Sequence, residues 1–166
     1  MANITFKGNT VETSGNLPKV GTKAPEFRLT DTDLNEIKLS DYKGKKVILN
    51  IFPSLDTNVC ATSVKKFSDE VNKLENTVVI NVSKDLPFAH GRFYENKGIA
   101  NQVSGSQYKD EEFGKRYGVL MKSGHLAGLF SRAVVALDES GNVIYTEQVP
   151  EISQEPNYAK AVEAVK

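Results

Sequence analysis

The sequence predicts an α/β fold: a mixed sheet flanked by helices on both faces, with an extra β-hairpin at the N-terminus. Three observations point there. Residues 46–52, 77–82 and 133–137 are nearly continuous apolar runs, the pattern of strands covered on both faces. Helical segments follow the first two runs, and a strand hairpin and a last helix close the chain. Short stretches of period-two alternation precede the runs, as hairpins require.

Ile4-Thr-Phe6 and Val11-Glu-Thr13 alternate about Gly8-Asn9 and are expected to form the N-terminal hairpin. Residues 14–25 carry Gly15, Pro18 and Gly21 and read as a surface connection. Glu26-Phe-Arg-Leu29 and Glu36-Ile-Lys-Leu39 form a second hairpin around a polar turn. The run 46–52 reads as a central strand. In the helix after it, Thr57 is the expected N-cap, and apolar residues at 60, 64, 67, 71 and 74 make one stripe that includes Cys60. After the buried strand 77–82, Pro87 suits the first position of a helix running to about Asn96. Residues 105–110 are expected as loop, with Asp110 capping a short helix to about Tyr117. Ala133-Val-Val-Ala-Leu137 is a third buried strand, expected at the sheet centre, and Glu139-Ser-Gly-Asn142 turns it into 143–147. A last helix, entered at Pro156, carries Tyr158, Ala161, Val162 and Val165. No repeat, low-complexity tract or linker divides the chain, so residues 1–166 are expected to form one domain.

Lysines plus arginines equal aspartates plus glutamates at 21 each, so no global field points to nucleic acid or an anionic membrane surface. No apolar run approaches the ~20 residues that span a bilayer, and the N-terminus lacks the basic-then-apolar pattern of a signal peptide. One cysteine in 166 residues rules out a disulfide framework. A reducing, cytoplasmic location is expected.

That cysteine, Cys60, is the first candidate for chemistry. An apolar stripe is where packing alone would put a free cysteine. With Thr57 as cap, however, Cys60 is the third helical residue, where unpaired backbone N–H groups and the helix dipole favour a thiolate, the nucleophilic form. The segment follows a buried strand, where open α/β sheets keep their sites. Asp31-Thr-Asp33-Leu-Asn35 resembles the start of a calcium loop, but Glu36 and Tyr42 stand where glycine and an acid are needed, so a turn is the better account. His90 and His125 show no metal-ligand spacing, and a Cys–His pair would need one of them beside Cys60. Arg132 precedes an interior strand behind the apolar Leu129-Phe130 and needs a partner, either a carboxylate or the Cys60 thiolate.

Pro53-x-x-x-Thr57-x-x-Cys60 matches the active-site signature of the peroxiredoxins, a superfamily with a thioredoxin-like fold. Phe52-Pro-Ser-Leu-Asp-Thr-Asn-Val-Cys60, Ser83-Lys-Asp-Leu-Pro-Phe-Ala89 and Ser131-Arg-Ala-Val134 resemble its thiol peroxidase branch. So do Val20-Gly-Thr-Lys-Ala-Pro-Glu-Phe27 and the N-terminal hairpin. The resemblance implies that Cys60 attacks one peroxide oxygen while the other leaves, ending as a sulfenic acid. Thr57 would hydrogen-bond the peroxide, and Arg132 would hold the thiolate and the attacked oxygen with its fork of donors. Pro53 would wall the pocket without a competing N–H. Hydrogen peroxide or alkyl hydroperoxides are the implied substrates; a homodimer is implied and no cofactor.

One departure changes the implied cycle. In this branch a resolving cysteine sits in the helix after Asp-Leu-Pro-Phe-Ala, within an Arg-aromatic-Cys triplet, and here the triplet is Arg92-Phe93-Tyr94. An external thiol (thioredoxin, glutathione or similar) is therefore expected to resolve the sulfenate. A Cys60–Cys60 disulfide would demand local unfolding in two subunits. The competing reading is a redox sensor that passes Cys60 oxidation to a partner protein. A Cys–His hydrolase stands third.

Overall fold

The structure, a computed structural model, describes residues 2–166. A hairpin of β1 (Asn3–Phe6) and β2 (Asn9–Glu12) stands apart from a seven-stranded mixed sheet. Lys7 and Gly8 both take positive φ at its turn, which matches the twist of a two-residue hairpin and makes glycine the natural second residue. The large sheet runs β4 (Glu36–Lys38), β3 (Arg28–Thr30), β7 (Val103–Ser106), β6 (Thr77–Ser83), β5 (Lys46–Ile51), β8 (Ala133–Leu137), β9 (Val143–Gln148). β5, β6 and β7 are parallel, and β8 and β9 return antiparallel. β8 is thus interior, one strand in from the edge, rather than central.

Strand parity sorts the core. Leu49, Ile51, Ile80, Val82, Val135 and Leu137 pack with Phe27 and with Phe113 of α3 (Glu112–Arg116). On the other face Ile48, Val79, Val134 and Ala136 meet Phe67 and Val71 of α1 (Asn58–Val71) and Ala161 of α4 (Tyr158–Ala164). α4 begins after Pro156, at Asn157, whose side chain caps Lys160 N–H at 3.1 Å. No helix among the described residues is long and apolar enough to cross a membrane.

β7 corrects the expected loop at 105–110. Val103-Ser-Gly-Ser106 carries neither an apolar run nor clear alternation, so no period marks it as a strand. It becomes one because β6 offers a parallel ladder on one side and Thr30 of β3 pairs with Ser106 on the other. The space is narrow: a Cβ on Gly105 would lie 2.8 Å from Leu29 Cδ1 and 3.1 Å from Ile80 Cγ2.

The α1 face also carries a polar layer. Asn50 and Asn81 are register partners on β5 and β6, both buried, and Asn50 Nδ2 donates to Asn81 Oδ1 at 2.9 Å. Asn81 Nδ2 donates to Tyr94 Oη of α2 (Pro87–Lys97) at 2.8 Å, and Tyr94 Oη donates to Val103 O at 3.2 Å. Asn81 also bonds Gln102, whose amide donates to Val64 O at 2.9 Å. Ser63 Oγ takes a 3.3 Å bond from Asn50 and donates to Cys60 O at 2.8 Å. Two carbonyls of α1 are thereby tied to the sheet, which fixes the helix in both height and rotation. His90 of α2 is fully buried, packed against the Phe52 ring, with Nε2 2.9 Å from Ser83 Oγ.

Gly105→Ala should cost about 1–3 kcal/mol by overpacking, read as a lower urea midpoint with unchanged m-value. Burial lowers the His90 pKa to about 4, against an opposing pull from Asp85. The unfolded histidine takes its proton near pH 6.5, so the unfolded chain binds more protons between these values. Stability is full above pH ~6.5 and falls as the pH drops toward ~4. In His90→Gln the fall in melting temperature between neutral and mildly acidic buffer should be shallower than in wild type; parallel curves would remove His90 from the acid response.

Candidate active site

The site is assembled at the carboxyl end of β5. The strand's ladder reaches Phe52, whose N–H donates to Val82 O at 3.1 Å. Pro53 then ends the pairing, having no N–H to give, and is buried. Ser54 to Thr57 make the turn: Thr57 N–H and its hydroxyl both donate to Ser54 O, at 3.2 and 2.9 Å. Thr57 occupies the N-cap position in extended conformation, as its sequence position implies, but its side chain caps no helix amide. Its hydroxyl lies on the exposed side of the turn. Cys60 is the third residue of α1, within the turn whose amides lack helical acceptors. It is a free thiol with no exposed surface, packed among Phe52, Leu55, Val64 and Ile99, with Phe93 and Tyr94 beside them.

Arg132 arrives through strand pairing. β5 and β8 are antiparallel with Ile51 opposite Ala133, so one step further puts Arg132 beside Phe52, at the mouth of the Cys60 turn. Its side chain is 2% exposed. Nε donates to Ile152 O at 2.7 Å, while Nη1 is buried without a partner among the described residues. Of the two partners left open by the sequence, the carboxylate is not taken: no acidic group among the described residues forms an ion pair with Arg132. A buried guanidinium N–H without an acceptor is costly unless something fills the gap.

Two groups here carried no signal in the sequence. Asp85 holds the turn from below: its carboxylate accepts from Leu55 N–H at 2.9 Å, from Ser54 Oγ at 2.8 Å and from Ser83 Oγ at 2.6 Å. It lies in the matched block 83–89, which flagged the segment but no role for the residue. Tyr158 of α4 adjoins the site from above. Its hydroxyl donates to Glu155 at 3.0 Å, Lys66 bridges Glu155 at 3.1 Å, and burial and then Glu155 push the phenol pKa up, with smaller influences from Arg132 and Cys60. Only the docking of α4 brings it there.

The other candidates fall elsewhere. His125 is exposed, and His90 faces Ser83 and not Cys60 through its bonded nitrogen. Asp31 Oδ1 accepts from the N–H groups of Asp33 and Asn35, both at 2.9 Å, as a turn residue does. Tyr94 is held in the polar layer, and burial raises its pKa well above the phenol range despite the bond from Asn81.

The sequence has relatives across its whole length. A thiol peroxidase of Corynebacterium glutamicum is 48% identical over 165 residues, covering 99% of each chain. One of Mycobacterium tuberculosis is 51% identical over 165 residues, again 99% of each. Among solved structures, a peroxiredoxin-like protein from Aquifex aeolicus superposes with a TM-score of 0.94 at 39% identity, covering 99% of this chain and 96% of that one. Its fold and this one share the thioredoxin-like arrangement of sheet and helices. The family model described as Redoxin matches residues 19–162, and the chain belongs to that family.

Proposed function

We propose that this chain, a thiol peroxidase by family, reduces hydrogen peroxide and alkyl hydroperoxides through a sulfenic acid at Cys60. The observation that carries the reading is the unpartnered, buried Nη1 of Arg132 beside the turn that holds a buried lone thiol. A peroxide oxygen bound at the turn would give that buried N–H the acceptor it lacks.

Peroxide approaches from the exposed side of the turn, where Thr57 can exchange its bond to Ser54 O for one to the substrate. The Cys60 thiolate forms a bond to the proximal oxygen as the O–O bond breaks, and the electron pair leaves on the distal oxygen, which takes a proton to become water or alcohol. Charge moves from sulfur to oxygen along this axis. Arg132 donors fixed before the reaction stabilise that shift without reorganising, the principle of a preorganised electrostatic site. Pro53 and Phe52 keep bulk water off the sulfur. Recycling then falls to an external thiol: it displaces hydroxide from the sulfenate as water, giving a mixed disulfide that a second thiol reduces. Tyr94, in the place of the branch's resolving cysteine, cannot take part because a phenol does not reduce sulfur. A homodimer in the cytoplasm belongs to the same reading.

The lone cysteine keeps a second reading alive, a sensor whose oxidised Cys60 passes to a partner protein. Peroxide consumption across a panel of dithiothreitol, glutathione and thioredoxin separates the two. Rapid multiple turnover with one of the physiological thiols, abolished in Cys60→Ser, is expected; equal consumption by wild type and Cys60→Ser would sink the peroxidase. Arg132→Met should slow single-turnover oxidation of Cys60 by about a hundredfold, the scale of losing one preorganised donor, and should also slow alkylation by iodoacetamide. Unchanged rates would remove Arg132 from the chemistry.

A further inference from the structure

The N-terminal hairpin lies outside the main sheet, yet it touches the one segment that tethers Arg132. Thr5 N–H donates to Pro150 O at 2.8 Å and Ile152 N–H donates to Thr5 O at 2.9 Å, so β1 pairs with the backbone on both sides of Glu151. Ile152, 2% exposed, packs with Ile4, Val11 and Met121 in a small core that the hairpin closes. Its carbonyl is the acceptor of the 2.7 Å bond from Arg132 Nε.

A carboxylate locks this contact at the surface. Glu151 Oε1 accepts from Gly8 N–H at 2.9 Å and Thr5 Oγ1 at 3.1 Å, and Oε2 accepts from Ser153 N–H at 2.8 Å and Ser153 Oγ at 2.5 Å. Four donors converge on two oxygens, from the hairpin turn on one side and from the chain just past Ile152 on the other. Only an acceptor-only group can meet all four, and an ionised carboxylate is the side chain of that kind. The Ser153 hydroxyl, then the N–H groups of Ser153 and Gly8, pull the Glu151 pKa down to about 2, so the clasp stays charged at ordinary pH.

We infer that Glu151 is a positioning residue: by clasping the hairpin to the 150–153 segment it fixes Ile152 O, and through it the guanidinium of Arg132. The inference rests on the role proposed for Arg132. It assigns to the hairpin a task in the reaction, holding an arginine whose other donors must stay free. Without the clasp, only the backbone bonds of Thr5 hold the Ile152 segment to the hairpin, and a displacement of about 1 Å at the arginine bound to it is enough to cost a large factor in rate.

The test is a cycle of four full-length proteins: wild type, Glu151→Gln, Arg132→Met and the double variant. Each is pre-reduced and mixed with hydrogen peroxide while Cys60 oxidation is followed in a single turnover. Glutamine keeps the size of the side chain but turns N–H groups toward one pair of donors. Glu151→Gln should slow oxidation about tenfold, with little change in melting temperature, and should add nothing in the Arg132→Met background. Wild-type speed in Glu151→Gln beside a slow Arg132→Met overturns the inference and leaves the proposed chemistry standing. An equal loss in both backgrounds also overturns it, since the effect then bypasses Arg132. Wild-type speed in Arg132→Met overturns the chemistry itself. If Glu151→Gln fails to fold, Thr5→Val removes one donor with the backbone pairing intact, and a smaller loss in the same direction is expected; no loss overturns the inference.

Discussion

β5 is hydrogen-bonded in parallel to β6 and antiparallel to β8, and the site depends on that double pairing. Parallel pairing with β6 means that β5 must hand the chain to a crossover helix at its carboxyl end, which is where Cys60 sits. Antiparallel pairing with β8 means that this same end meets the start of the returning strand, where Arg132 sits. Segments that carry residues seventy-two positions apart are thus brought to one end of the sheet by backbone ladder geometry. A one-residue slip of register would turn the side chains of β8 to the opposite face and move Arg132 away.

Around that frame the polar groups divide into those that are satisfied and those that are not. Asn50, Asn81, Ser63, Gln102 and Tyr94 satisfy one another and two carbonyls of α1 inside an otherwise apolar layer. Such a network specifies one seating of the helix, since any shift strands a buried donor or acceptor. Asp85 does the same for the turn. Arg132 is tethered through Nε and open at Nη1, and His90 Nδ1 and Ser104 Oγ are likewise buried without a partner among the described residues. The contrast separates groups that hold the backbone around the site from those left with an open donor or acceptor. It also gives Tyr94 a structural occupation, as the link between α2 and the Asn50–Asn81 pair.

Most of the fold was legible in the sequence because its strands and helices bury large apolar surfaces with a clear period. The runs at β5, β6 and β8 and the stripe of α1 needed no context. β7 had none of this: its small, polar residues are a strand only because two neighbours offer ladders. In the site, Pro53, Thr57 and Cys60 lie within eight residues, so their spacing could be read as a motif. Asp85, Tyr158 and Glu151 could not, since each acts through contacts made by folding.

The sequence by itself determined the lone thiol of Cys60, its place on the first turn of α1 and the absence of a second cysteine, because these are properties of residue identity and local spacing. The partner of Arg132 was open in the sequence between a carboxylate and the Cys60 thiolate. Tertiary structure decided where the guanidinium sits, by pairing β8 with β5, by placing no carboxylate among the described residues in an ion pair with it and by tying Nε to a carbonyl that the N-terminal hairpin holds. Those are long-range contacts between segments from both ends of the chain, and no local pattern encodes them.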